Sequence, residues 1–114
     1  MSNELVEAIK LAMPPDAELR VVNRLPGFDV DVSWKLDDDP ERPNKPSKTI
    51  AISVTDEAAE DFANASGPMK HDALARLQKF LTENLRRFDP AHNTPKYEPP
   101  PVERWRLTNS VLFG

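Results

Sequence analysis

His71 and His92 are the only imidazoles in the chain, and so the only side chains whose ordinary titration could carry a proton near neutral pH. His71 precedes Asp72 at the start of a leucine-spaced stretch, and His92 sits among prolines. Neither falls in a Gly-x-Ser-x-Gly elbow or a His-Glu-x-x-His helix, and with three glycines in all a phosphate-cradling loop is hard to build. Both histidines are therefore expected at the surface. A pocket near one of them is the enzymatic alternative, and no catalytic residue is assigned.

Asp37, Asp38, Asp39 and Glu41 place carboxylates close together, as hard cations require. A calcium loop counted from Asp37 needs glycine at its sixth position and a carboxylate at its twelfth, where this chain has Arg42 and Lys48. The cluster reads as a solvated loop, and no metal or other cofactor is expected. The chain has no cysteine, which removes disulfides, thiolate metal sites and cysteine nucleophiles.

Arginines offer the other chemistry. Arg76, Lys79, Arg86 and Arg87 lie off the leucine stripe and form a modestly basic helix face, interrupted by Asp72 and Glu83. Such a face could contact phosphates, and the order helix, three strands, helix resembles in outline the double-stranded RNA-binding domain. That family opens its second helix with a run of lysines, whereas Gly67-Pro68-Met69-Lys70-His71-Asp72 holds one lysine and an aspartate. With a net charge of −4, nucleic acid is the alternative rather than the expected partner.

The most distinctive stretch runs from Asn93 to Arg106. Tyr97, Pro99 and Pro100 begin a polyproline-like segment that could dock in an aromatic groove, and Arg104, Trp105 and Arg106 follow it. Arg104 and Arg106 alternate with Trp105 and Leu107, so on a strand the two arginines share a face and could hold a carboxylate or phosphate. A mixed-charge sheet face shared with Asp29 and Asp31 is the simpler reading of that pair. These six residues are the candidate interaction site. The segment is read as a strap across the domain's own core, because Trp105, Leu107, Val111 and Phe113 would otherwise expose a large apolar patch.

The elements that must position these residues follow from periodicity. Leu5, Val6, Ile9 and Met13 make a helical stripe that Pro14-Pro15 ends. Leu19 and Val21 alternate with charged residues, and Leu25-Pro26-Gly27-Phe28 makes a turn. Phe28, Val30, Val32, Trp34 and Leu36 then alternate with polar residues as the clearest strand. Ile50, Ile52 and Val54 predict its antiparallel neighbour, Thr55 caps a short helix, and Leu74, Leu77, Leu81, Leu85 and Phe88 mark a long one. Odd-numbered apolar positions from Trp105 to Phe113 predict a last strand, with Asn109 the polar exception.

At 114 residues, with 39% hydrophobic and 30% charged residues, the chain suits one core. Eight of the twelve prolines fall in two connections, at 37–48 and 90–101, and Pro14-Pro15 form a further pair. The N-terminus has neither the basic start nor the continuous apolar run of a secretory signal, and no stretch approaches membrane-spanning length, so a cytoplasmic location is expected. The reading is one α+β domain over 1–114: a mainly antiparallel sheet of three to four strands, with the N-terminal and long helices packed on one face. The expected function is non-catalytic protein interaction, as an adaptor domain, with a homodimer among the options.

Overall fold

A computed structural model describes residues 3–36, 40–42 and 45–114. Its elements are α1 (Asn3–Ala12), β1 (Glu18–Arg24), β2 (Gly27–Ser33), β3 (Thr49–Val54), α2 (Asp56–Asn64), α3 (Gly67–Arg87), β4 (Val102–Leu107) and α4 (Asn109–Phe113). The strands form one sheet in the order β1-β2-β3-β4. The first two pairs are antiparallel, with Val21 opposite Val30 and Val30 opposite Ile52.

The third pair corrects the mainly antiparallel expectation, because β4 runs parallel to β3 and the sheet is mixed. A parallel partner must be reached by a crossover. The 21 residues of α3 would cover about 30 Å at 1.5 Å each and, with α2 and the proline segment, return the chain to the start of β3. There Thr49 N–H donates to the Pro101 carbonyl at 2.9 Å.

Alternation decides which side is core. Phe28, Val30, Val32, Ile50, Ile52, Val54, Trp105 and Leu107 point to one face and join Leu5, Ile9, Phe62, Leu77, Leu81 and Leu112 from the helices in one buried cluster. Fully burying each large apolar side chain contributes about 1.5–3 kcal/mol, so this layer dominates stability. Thr55 caps α2 as its sequence position implies, its Oγ1 accepting from Ala58 N–H at 3.1 Å. At the β1–β2 tip the Leu25–Pro26 bond is cis, and a Cβ on Gly27 would collide with the Val54 carbonyl.

Three further expectations need correction. The strand read through Leu36 ends at Ser33, yet the pairing continues irregularly: Ser47 N–H donates to the Trp34 carbonyl at 2.7 Å and Leu36 N–H to the Lys45 carbonyl at 2.8 Å. Pro46 lies between them and has no N–H to donate. The last strand stops at Leu107, and the chain turns into α4, which buries Leu112 fully while Val111 and Phe113 are only half-buried.

The third concerns His92, which is buried rather than superficial. Its Nε2 donates to the Pro46 carbonyl at 2.8 Å and its Nδ1 accepts from Thr94 N–H at 3.2 Å. Lys48 N–H donates to the Pro90 carbonyl at 3.0 Å, and Arg42 Nη1 to the Thr94 carbonyl at 2.9 Å. The two proline-rich connections are thus laced to each other. His71 is exposed, as expected.

Candidate functional site

The helices lie on one side of the sheet, and no described element covers the other. That outer face carries Arg20 and Arg24 on β1, Asp29 and Asp31 on β2, Thr49, Ala51 and Ser53 on β3, and Arg104 and Arg106 on β4. Strand alternation selects this set together with apolar Val22 and Val102, since successive side chains point to opposite faces of the sheet. Ala51 is 2% exposed, in register with Asp31 on one side and Arg104 on the other, so the middle of the face is flat.

Asp29 organises one end. Its Oδ2 accepts from Arg104 Nη1 at 3.0 Å and pairs with Arg24 Nε at 3.2 Å, so two guanidinium groups share one oxygen. Arg104 Nη1 also donates to Ser53 Oγ. The Asp29 side chain is 6% exposed although it stands on the open face, because the two arginines lie over it. Burial pushes the Asp29 carboxyl up, but hydrogen bonds from Arg104 and Ser53, and the Arg104 and Arg24 charges, outweigh it and hold it below the usual 3.8.

A lowered folded value means that the unfolded chain binds the extra proton first. The Asp29 contribution to stability is therefore complete above the unfolded value near 3.8 and lost as pH falls through the folded one. Asp29→Asn is expected to destabilise the domain by about 1–3 kcal/mol at pH 7 by leaving two arginines without their carboxylate. Denaturant melts at pH 7 and pH 3 should show the gap between the two proteins narrowing in acid; an unchanged gap would contradict the assignment.

Arg24 and Arg104 have side chains 63% and 51% exposed, so their remaining N–H groups face solvent. Arg106 lies two residues along β4, roughly 7 Å away, and is exposed with no ion-pair partner among the described residues. Arg24, Ser53, Thr55, Asp56, Arg104 and Arg106 line a shallow recess of about 380 Å³. A recess of about 300 Å³ at the other end is lined by Asp16, Glu18, Trp34 and Lys35, among others. Neither histidine lines either recess. The chemistry on offer is multidentate recognition of an oxyanion, since each guanidinium presents several donors in a fixed plane.

The candidate interaction residues read from the sequence do not converge. Arg104 and Arg106 reach the outer face, whereas Trp105 points inward at 5% exposure, its Nε1 donating to Glu103 Oε2 at 2.7 Å. Tyr97 is 86% exposed on a turn closed by Glu98 N–H to the Pro95 carbonyl at 3.0 Å; Pro99 is exposed and Pro100 half-buried. Arg76, Lys79, Arg86 and Arg87 are exposed on α3, on the helical side of the sheet, with exposed Glu83 among them.

Sequence reasoning missed Arg24 and Ser53. The available signal was parity: the hairpin places Arg24 beside Gly27, two steps along from Asp29's partner Val22. Asp37, Asp38 and Asp39 lie outside the described residues, and among the described residues no group of three or more His, Asp or Glu is placed to hold a metal ion. No described helix is long and apolar enough to cross a membrane. No protein-family model matches this chain, and no curated protein or solved structure matches it.

Proposed function

We propose that this chain is a non-catalytic protein-interaction domain and that its uncovered sheet face carries the interaction. The observation that supports this most is the pair Arg24 and Arg104, both anchored to the buried Asp29 on the one face that no described element covers. Arginines held by a buried carboxylate have already lost much of their rotamer freedom, so their free donors bind a partner at lower entropic cost. Around them the face is flat and polar, as in the rim of a protein interface. The chain's charge of −4 makes this arginine end a local exception and favours an acidic partner surface.

A second copy of the chain is a candidate partner, because the recess at the far end of the face is lined by Asp16 and Glu18.

Charge reversal tests the proposal. Arg106→Glu leaves the Asp29 pairs intact and is expected to lower recovery of the protein partner about tenfold in co-purification, by setting like charges against each other. Arg86→Glu on α3 should leave recovery unchanged. Loss of a nucleic-acid partner on Arg86→Glu, with none on Arg106→Glu, would overturn it.

A further inference from the structure

β4 is an edge strand, and its backbone is half unpaired. The N–H of Thr49 reaches the Pro101 carbonyl and that of Thr55 the Leu107 carbonyl, at 2.9 and 3.2 Å, so odd-numbered positions of β4 face β3. By alternation the N–H and C=O groups of Val102, Arg104 and Arg106 face away from the sheet. None of these has a backbone partner among the described residues. α4, which follows β4, packs on α2 and α3 in the helical layer rather than over this edge.

The side chains at those positions are Val102, 60% exposed, and two arginines that lean over the outer face. Their in-register neighbours on β3 are Thr49, Ala51 and Ser53, none of them charged. Arg104 reaches past Ser53 to Asp29, and Arg106 has no ion pair, although Asp56 lines the same recess. The opposite edge differs: on β1, Arg20 stands directly across from Asp31, and Glu18 carries its own negative charge. Arg24 on β1 shares Asp29 with Arg104, so what sets β4 apart among the described residues is Arg106, which stands beside the outward backbone groups with uncharged Ser53 across from it and no ion pair.

We infer that the β4 edge is a docking site for an extended acidic peptide, which adds as a fifth strand and sets its carboxylates against Arg104 and Arg106. This rests on the interaction reading above and names its partner chemistry. Main-chain hydrogen bonds would supply affinity in any sequence, and the arginine row would supply selection for acid at alternate positions. Alternation matches because a strand presents every second side chain to the same face, at the same repeat of roughly 7 Å that separates Arg104 from Arg106. Like charges on the exposed arginines would also oppose pairing of this edge with the β4 edge of a second copy.

Titration of the full chain with a blocked hexapeptide alternating Glu and Thr, followed by amide-resolved NMR, tests this. The expected result is saturable binding with shifts centred on Arg104 and Arg106, and affinity about tenfold above that of the Gln/Thr peptide, the value of one good charge-assisted hydrogen bond. Arg106→Gln should remove that preference. Val102→Pro deletes an outward N–H without touching the β3 ladder and should weaken both peptides while leaving the melting temperature unchanged. Equal affinity for the two peptides, shifts confined to β1, or displacement of the peptide by inorganic phosphate at similar concentration would overturn the inference. A peptide that fails to bind β4, while Arg106→Glu still lowers partner recovery, would remove this inference and leave the interaction reading standing.

Discussion

Deleting residues 96–114 is expected to abolish the cooperative thermal transition of the domain. The deletion removes β4 and α4, and with them Trp105, Leu107 and Leu112, which are at most 5% exposed. At about 1.5–3 kcal/mol per large buried side chain, the loss is roughly 5–9 kcal/mol, comparable with the whole stability of a domain this size. It also leaves β3 with a bare edge and Phe88 without one of its two partners. Phe88 meets Trp34 edge-on at 5.7 Å and Trp105 at 6.0 Å between ring centroids. Trp105→Phe should cost far less than the deletion, because it keeps a ring against Phe88 and gives up the bond to Glu103. A deletion protein that melts cooperatively within a few degrees of the full chain would show the tail to be a free appendage.

Leu81→Asp is expected to prevent folding altogether. Leu81 is fully buried on the face of α3 that meets the sheet, among Leu77, Leu112 and the inward β-strand residues. A carboxylate there loses its hydration and gains no described donor, a cost of several kcal/mol even if it takes up a proton. Thr82→Asp, one residue on and exposed, separates this burial effect from any loss of helix propensity. The measurement is near-ultraviolet circular dichroism with denaturant titration: Leu81→Asp should lose the tertiary signal and Thr82→Asp keep it. A native-like Leu81→Asp melt would contradict the helix-on-sheet packing.

Elements whose evidence is local were legible in the sequence. Phe28 to Val32 alternate strictly and become β2, one of the two inner strands; Thr55 caps α2; Leu77 and Leu81 sit at the heart of the stripe that α3 buries. The direction of β4 was not legible, because periodicity says which side chains share a face but not which way a strand enters the sheet. α4 was hidden by a coincidence of period. Odd-numbered Val111 and Phe113 continue the parity of Trp105 and Leu107, but the deeply buried residue is Leu112.

The site divides in the same way. Parity alone places Arg104 and Arg106 with Asp29 and Asp31 on one face. That Arg24 crosses from β1 to share the Asp29 oxygen depends on hairpin register, and His92 is buried through contacts with Pro46, 46 residues away in sequence. Neither distance is encoded in a local pattern. The proline-to-Trp105 tail shows both cases: its Trp105, Leu107 and Leu112 are core, while Tyr97 remains in solvent.

Site-specific photocrosslinking in cells tests the central claim most directly. A photoreactive residue placed at Val22 or Val102, on the sheet's uncovered side and edge, should give discrete protein adducts, and one at Lys79 or Arg86 on the helical side should give none. Adducts confined to the α3 positions, adducts to nucleic acid, or no adduct from either sheet position would contradict the account.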